Sequence, residues 1–191
     1  MRWDAVHDAR AAFLACLWAL SHPGTSQGPL PAPGLDDDAR LDGAAAVLLA
    51  LLDADLALAT VGGRHVAAVA ERVRKATGAG DAPLDVADFV LVDPGTAPGP
   101  VAAVARRGTA LAPEAGATVV YCASGSVAVV LDGPGLVAPT RVLLPLPPGE
   151  LDALLASRTQ PPLGVDALVV GPDGHVVGLP RSTHLRVEAV V

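Results

Sequence analysis

The stretch LALATVGGRHVAAVAERVRKATG, residues 56–78, indicates the fold class of this chain. Its first part, 56–61, is a short apolar run with β-branched residues, which is typical of a buried strand. A helix is predicted for 64–77 and ends at Gly78, a residue that commonly follows the last turn of a helix. A strand followed at once by a helix is the repeating unit of α/β proteins, in which a largely parallel sheet is covered on both faces.

The alternation of helices and strands extends along the chain on both sides of this unit. The first predicted helix, 4–20, carries its larger apolar side chains in one stripe, as in an amphipathic helix. That stripe consists of Val6, Phe13, Leu14, Leu17, Trp18 and Leu20. Further helices are predicted for 42–52, with Asp42 as a cap, for 100–107 and for 150–158, and further strands for 89–92 and 141–144.

In the second half of the chain, strand-length runs follow one another without long helices. The segments 118–122 and 127–131 predict one hairpin, and 167–170 and 175–179 predict another across 171–174. We therefore expect antiparallel strands to extend the sheet. The 191 residues predict a single three-layer α/β domain with a mixed, largely parallel sheet.

A long Pro/Gly-rich loop, 25–41, interrupts this pattern and contains the acidic run Asp36, Asp37 and Asp38. Loops of this length inside a domain are uncommon, and they usually carry function or contact a partner. Consecutive carboxylates rarely converge on one ion, so we do not expect a metal site there.

Composition narrows the classes of partner. The longest apolar run, 43–52, is about half of the ~20 residues that a membrane span needs, so none is expected. Asp4 and Asp8 argue against a signal peptide, and we expect a cytoplasmic protein. A net charge of −7 with few aromatic residues gives little for nucleic acid to bind.

Catalytic and cofactor motifs do not occur in the sequence. There is no phosphate-binding glycine loop, no nucleophile elbow and no metal-binding spacing among the five histidines. Pyridoxal phosphate could link only to Lys75, the single lysine, and the separated Cys16 and Cys122 cannot ligate an iron–sulfur cluster. We predict no catalytic residue, no cofactor and no metal in this chain.

Polar residues gather instead in two blocks rich in Gly and Pro. The first block, 108–118, is GTALAPEAGAT, and the second block, 162–184, begins with PLGVD and ends with PRSTH. Arg181 is expected to pair with Asp166 or Glu114, or to bind a phosphate or phosphonate. Glu114 is expected to accept backbone N–H groups of its turn. Candidate partner or ligand contacts are Glu114, Asp166, Arg181, Thr183 and His184.

Together with SHPG at 21–24, ADFVLVD at 87–93 and DGPG at 132–135, the two blocks resemble the PhnH family of phosphonate metabolism. The resemblance implies a fold similar to the large domain of pyridoxal-phosphate transferases without their cofactor. It also implies a homodimer when isolated, and a core complex of carbon–phosphorus lyase with PhnG, PhnI and PhnJ. That complex replaces the adenine of ATP by a phosphonate, giving ribose 1-phosphonate 5-triphosphate, and then cleaves the carbon–phosphorus bond on an iron–sulfur partner.

Three hypotheses of function stay open on the sequence. The first is an accessory, non-catalytic subunit of that complex. The second is a stand-alone enzyme that binds a nucleotide or phosphonate through Arg181, His184, Glu114 and Asp166. The third is a dimeric binding module that acts by itself.

Overall fold

The computed structural model describes residues 2–123 and 125–188. Its helices are α1 (His7–Ser21), α2 (Ala39–Leu51), α3 (Arg64–Thr77) and α4 (Pro148–Ser157). The strands are β1 (Ser26–Gln27), β2 (Ala57–Val61), β3 (Gly80–Asp81), β4 (Phe89–Val92), β5 (Thr118–Cys122), β6 (Val127–Asp132), β7 (Thr140–Leu144), β8 (Asp166–Val170), β9 (Val176–Leu179) and β10 (His184–Val187). None of the helices in these ranges has both the length and the apolar character to cross a membrane.

Seven strands form the main sheet in the order β1-β9-β8-β5-β4-β2-β3. The neighbours from β8 to β3 run parallel to one another. Strands β9 and β1 are added antiparallel at one side. The predicted α/β class with a mixed, largely parallel sheet is confirmed, and so is the predicted hairpin of β8 and β9.

Layers of different composition cover the two faces of this sheet. Helices α1, α2 and α3 pack on one face, where their small and aliphatic side chains form one core. The other face is covered by α4, by the turns of 101–105 and by a three-stranded sheet in the order β10-β6-β7. The second core therefore lies between two sheets as well as under a helix.

The predicted hairpin of 118–122 with 127–131 is wrong. Strand β5 lies inside the main sheet between β4 and β8, whereas β6 pairs with β7 and β10 in the small sheet. The burial patterns explain the difference. Residues 119–122 are buried without interruption, as in a strand covered on both faces, but in β6 Val129 and Leu131 are buried between less buried neighbours. The two runs therefore suit different sheets, and the strands of the second half only partly extend the main one.

The helix predicted for 100–107 is also absent from the structure, which has turns there. Val101, Ala102 and Ala105 are buried against the second core. The Val101 N–H donates to the carboxylate of Glu150 at 2.8 Å. A short segment has little helix stability of its own, and here a side chain and the core hold it as turns.

Helix α2 begins at Ala39, earlier than predicted, because Asp38 and not Asp42 is its cap. The Asp38 carboxylate accepts the Arg40 N–H at 3.0 Å. Asp42 is buried and accepts N–H groups of residues 34–36, the shortest from Leu35 at 2.6 Å. The end of the 25–41 loop is therefore anchored on the helix that follows it.

Only part of the apolar stripe predicted for α1 faces the core, where Leu20 packs partly buried. The buried side chains of α1 are the small ones, Ala12, Cys16 and Ala19, whereas Phe13, Leu17 and Trp18 are about half exposed. Gly178 of β9 is the reason. A Cβ on Gly178 would lie 2.6 Å from the backbone nitrogen of Leu20, so α1 rests directly on the sheet backbone. Only small side chains fit into that contact.

We expect Gly178→Ala to destabilise the protein by about 1–3 kcal/mol, because the added methyl group would push α1 off the sheet. Urea denaturation of the purified variant measures the loss. Gly80→Ala is the matched control, since the nearest atom to its new Cβ is 3.8 Å away and the residue is also in a strand. Equal stability of the two variants would contradict the close contact of α1 with β9.

Candidate functional site

The two blocks of polar residues meet at one end of the main sheet. Asp166 begins β8 and Arg181 follows the end of β9, and the antiparallel pairing of these strands brings the two residues together. The Arg181 N–H donates to Asp166 Oδ1 at 2.7 Å, and its Nε lies 3.2 and 3.1 Å from the two carboxylate oxygens. Arg181 Nη2 also donates to Asp166 Oδ2. Of the predicted pairings of Arg181, the bidentate pair with Asp166 is the one that forms.

The same guanidinium reaches the first block. Its Nη1 donates to the carbonyl of Pro113, and its Nη2 is 3.5 Å from the carbonyl oxygen of Gly116. A Cβ on Gly116 would lie 2.5 Å from Arg181 Nη1 and 2.6 Å from the Gly164 carbonyl. Residue 116 is therefore a glycine because of this close approach, and Arg181 joins the two blocks into one structural unit.

Glu114 stands at the edge of this unit, on the 3-10 turn Pro113–Ala115, and is exposed. The turn is closed by backbone bonds, from Ala115 N–H to Ala112 and from Gly116 N–H to Pro113. Within residues 2–123 and 125–188 no N–H group donates to the Glu114 carboxylate. The expected role of Glu114 as an acceptor for its own turn is wrong, and its carboxylate faces solvent.

The end of the second block divides into a buried and an exposed residue. Thr183 is 1% exposed, and its Oγ1 has no hydrogen-bond partner among the described residues. His184 opens β10 opposite Asp132 and is exposed. Of these neighbours in sequence, the imidazole of His184 is therefore the one that can meet another molecule directly.

A cavity of about 570 Å³ opens beside the unit that the two blocks form. Residues from both blocks line it, including Pro113, Glu114, Leu163, Arg181 and His184, together with Arg158. Most of the remaining wall is proline. The structure thus brings three of the predicted contacts, Glu114, Arg181 and His184, to one cavity. Asp166 pairs with Arg181 without lining the cavity, and Thr183 is buried.

Arg158, which ends α4, was not among the predicted site residues. Its Nη2 donates to the carbonyl oxygens of Leu179 at 2.6 Å and Val165 at 3.2 Å, and its Nη1 to that of Thr183 at 3.3 Å. Burial lowers the pKa of Arg158 to about 10, because the charged guanidinium has lost water that the carbonyls only partly replace. In the sequence Arg158 is one more basic residue at a helix end, so nothing distinguishes it before the chain is folded.

A second, smaller cavity of about 270 Å³ lies at the carboxyl ends of β4 and β5, where α/β proteins often bind ligands. Asp36, Asp38, His65, Asp93 and Cys122 line it. No three metal-ligating side chains of the described ranges are placed to hold one ion. Burial raises the pKa of the Cys122 thiol to about 12, so this thiol is protonated at neutral pH and is a poor nucleophile.

We expect Arg181→Ala to lower the free energy of unfolding by about 3 kcal/mol, because it leaves the Asp166 carboxylate partly buried without its partner. Arg141→Ala is the control, since its ion pair with Glu188 is exposed and contributes less than about 1 kcal/mol. Urea denaturation at pH 7 measures both. Losses of the same size would mean that Arg181 does not join the two blocks.

The burial of the two cysteines predicts that the stability of the protein falls at alkaline pH. Burial raises the pKa of Cys16 and of Cys122 to about 12 from the ordinary 9.0. Their contribution to stability is therefore complete below pH 9 and is lost as the pH rises toward 12, because the unfolded chain releases these protons first. We expect neither thiol of the folded protein to react with Ellman's reagent at pH 8, and both to react in denaturant. Rapid labelling of the native protein would contradict the burial.

One of two comparisons with known proteins identifies a family for this chain. None of the curated proteins compared with the chain matches it. A family model does match, and its description reads PhnH, bacterial phosphonate metabolism protein. The match covers residues 2–186, which includes both blocks, the main sheet and the cavity beside them. The chain therefore belongs to the PhnH family of bacterial phosphonate metabolism proteins.

Proposed function

We propose that this chain is an accessory subunit of the carbon–phosphorus lyase core complex, which makes ribose 1-phosphonate 5-triphosphate from ATP and a phosphonate. In this proposal the chain acts in the cytoplasm as one domain, binds PhnG, PhnI and PhnJ, and forms a homodimer when isolated. The reacting groups belong to the partner subunits. Family membership over residues 2–186 is the observation that carries the proposal.

The use of the polar residues in the two blocks supports a structural role. The donors of Arg181 are directed to Asp166 and to backbone carbonyls of the first block, so this guanidinium is occupied within its own chain. The two thiols are buried. Arginine and cysteine are residue types from which a catalytic site could be built, but here Arg181 joins two turns and both thiols are buried.

We also propose a fold similar to the large domain of pyridoxal-phosphate transferases, without the cofactor. Lys75, the single lysine, is exposed on the last turn of α3. A lysine that forms an internal aldimine has to project into an enclosed site beside its cofactor. The position of Lys75 on an outer helix face supports a subunit that works without pyridoxal phosphate.

Exposed polar residues at the cavity and exposed apolar residues on α1 support the role in assembly, because protein interfaces use both. Glu114 and His184 lie at the cavity and face solvent, and we propose them as direct partner contacts. Asp166, Arg181 and the buried Thr183 would act by holding these two in place. On α1, the half-exposed side chains of Phe13, Leu17 and Trp18 form an apolar surface of the kind that marks protein interfaces.

The test is co-expression of the chain with tagged PhnI and with PhnG and PhnJ, followed by purification and mass measurement of the complex. We expect the chain to co-purify in a fixed stoichiometry. The double variant Glu114→Ala, His184→Ala is expected to weaken its retention by about tenfold, because polar contacts at an interface contribute about 1–2 kcal/mol in total.

The matched control is Asp55→Ala with His65→Ala, which removes an exposed carboxylate and an exposed imidazole that belong neither to α1 nor to the lining of the larger cavity. We expect this variant to be retained like the unmodified chain. Failure of the unmodified, folded chain to co-purify would overturn the proposed function. Equal retention of both double variants would overturn only the assignment of Glu114 and His184.

A further inference from the structure

Arg158 lines the cavity between the two blocks and has no ion-pair partner among the described residues. Arg158 and Arg181 both line it, and Asp166 pairs with Arg181. No carboxylate within residues 2–123 and 125–188 forms an ion pair with Arg158. Glu114 also lines the cavity, but its carboxylate faces solvent. The wall of the cavity therefore includes one guanidinium, that of Arg158, without an ion-pair partner.

The hydrogen bonds of Arg158 are incomplete as well. Its Nη atoms donate to three carbonyl oxygens, but its Nε is buried and has no partner among the described residues. Thr183, whose carbonyl accepts from Arg158, has the same deficiency at its buried Oγ1. Buried polar groups without partners are uncommon in folded proteins, so the hydrogen bonds around Arg158 stabilise it less than those around Arg181.

The rest of the wall is suited to an apolar group. Leu163 and the rings of Pro113, Pro134, Pro161 and Pro162 form most of it. A volume of about 570 Å³ is in the range of pockets that bind small organic molecules. Water or inorganic ions could satisfy the charge, but they would leave this apolar surface uncovered.

We propose that this cavity binds a small organic anion, which places its phosphonate, phosphate or carboxylate group toward Arg158 and its apolar part against Leu163 and the prolines. The exposed Ser182 and His184, which also line the cavity, supply further donors for the anionic group. The cavity is built entirely by this chain. The inference therefore does not depend on the proposed role in a complex.

The proposal differs from the sequence-based hypothesis of a ligand site in the residue that carries the charge. That hypothesis assigned recognition of a phosphate or phosphonate to Arg181. Arg181 pairs with Asp166 and bonds to the carbonyls of the first block, whereas Arg158 has no ion-pair partner and donates to carbonyl oxygens, with the Asp166 carboxylate acting on it from beyond ion-pair distance. Among the cations at the cavity, Arg158 therefore gains most from a bound anion.

Calorimetric titration of the isolated chain with four probes tests both parts of the proposal. Phenylphosphonate and benzoate combine a ring with an anionic group, benzyl alcohol has the ring alone, and inorganic phosphate has the charge alone. We expect the first two to bind with one site per chain. Benzyl alcohol and inorganic phosphate are expected to bind at least about tenfold more weakly, because each lacks one half of the contact.

Two pairs of variants locate the site. Leu163→Glu places a carboxylate in the cavity and is expected to reduce affinity for phenylphosphonate by at least about tenfold relative to Leu163→Gln, which has the same size without the charge. Arg158→Gln is expected to reduce the affinity similarly relative to Arg141→Gln, a control at an exposed arginine that does not line the cavity. If Arg158→Gln does not fold, the Leu163 pair still decides the question.

Binding of phenylphosphonate that is equal in Leu163→Glu and Leu163→Gln would overturn the proposal, as would equal affinity for phenylphosphonate and benzyl alcohol. So would the absence of saturable binding of either ring-bearing anion at millimolar concentration. A chain that fails these titrations and still co-purifies with PhnG, PhnI and PhnJ would disprove the anion site alone. The reverse result would disprove the complex alone.

Discussion

The contact of one guanidinium with two distant segments holds this end of the molecule together. Arg181 bonds Asp166, 15 residues away, and the carbonyl oxygens of Pro113 and Gly116, 68 and 65 residues away. A partly buried charge needs such partners, because each one replaces water that folding has removed. The geometry requires a glycine at 116, where a Cβ would meet the guanidinium. It also positions the start of β5, the strand at the centre of the main sheet, relative to β8 and β9.

A second polar contact connects the sheet to the helix that carries Arg158. The hydroxyl of Tyr121 in β5 donates to Glu150 Oε2 at 2.9 Å, and Glu150 Oε1 accepts the Val101 N–H at 2.8 Å. Burial raises the pKa of Tyr121 well above its ordinary value, so the hydroxyl keeps its proton and remains a donor. Glu150 lies in the first turn of α4 and Arg158 directly follows its last turn. The start of α4 is therefore held by the Glu150 carboxylate, both of whose oxygens accept hydrogen bonds. At its other end lies Arg158, whose Nε has no hydrogen-bond partner among the described residues.

The abundance of small residues has a further consequence for the surface. Because α1 contacts the sheet through Ala12, Cys16 and Ala19 over Gly178, several of its larger side chains (Phe13, Leu17 and Trp18) point outward. Close backbone packing replaces the usual burial of bulky residues, and the apolar surface that results is available for contacts between chains. The same residues that make α1 look like an ordinary amphipathic helix thus belong to the outside of the subunit. This arrangement suits a protein whose proposed work is to assemble with others.

The sequence by itself determined the α/β class, most helices and strands and the hairpin of β8 and β9, because local periodicity and turn residues encode them. It offered Asp166 as one of several partners of Arg181, and only the structure decided between them. It also contained the motifs that resemble the family. Only the tertiary structure decided that β6 leaves the main sheet, that several of the larger side chains of α1 face outward and that Arg158 lines the cavity. These features depend on contacts between segments far apart in the chain. A buried charge, a cation without an ion-pair partner and the close approach of two backbones arise only when those segments come together in the folded chain.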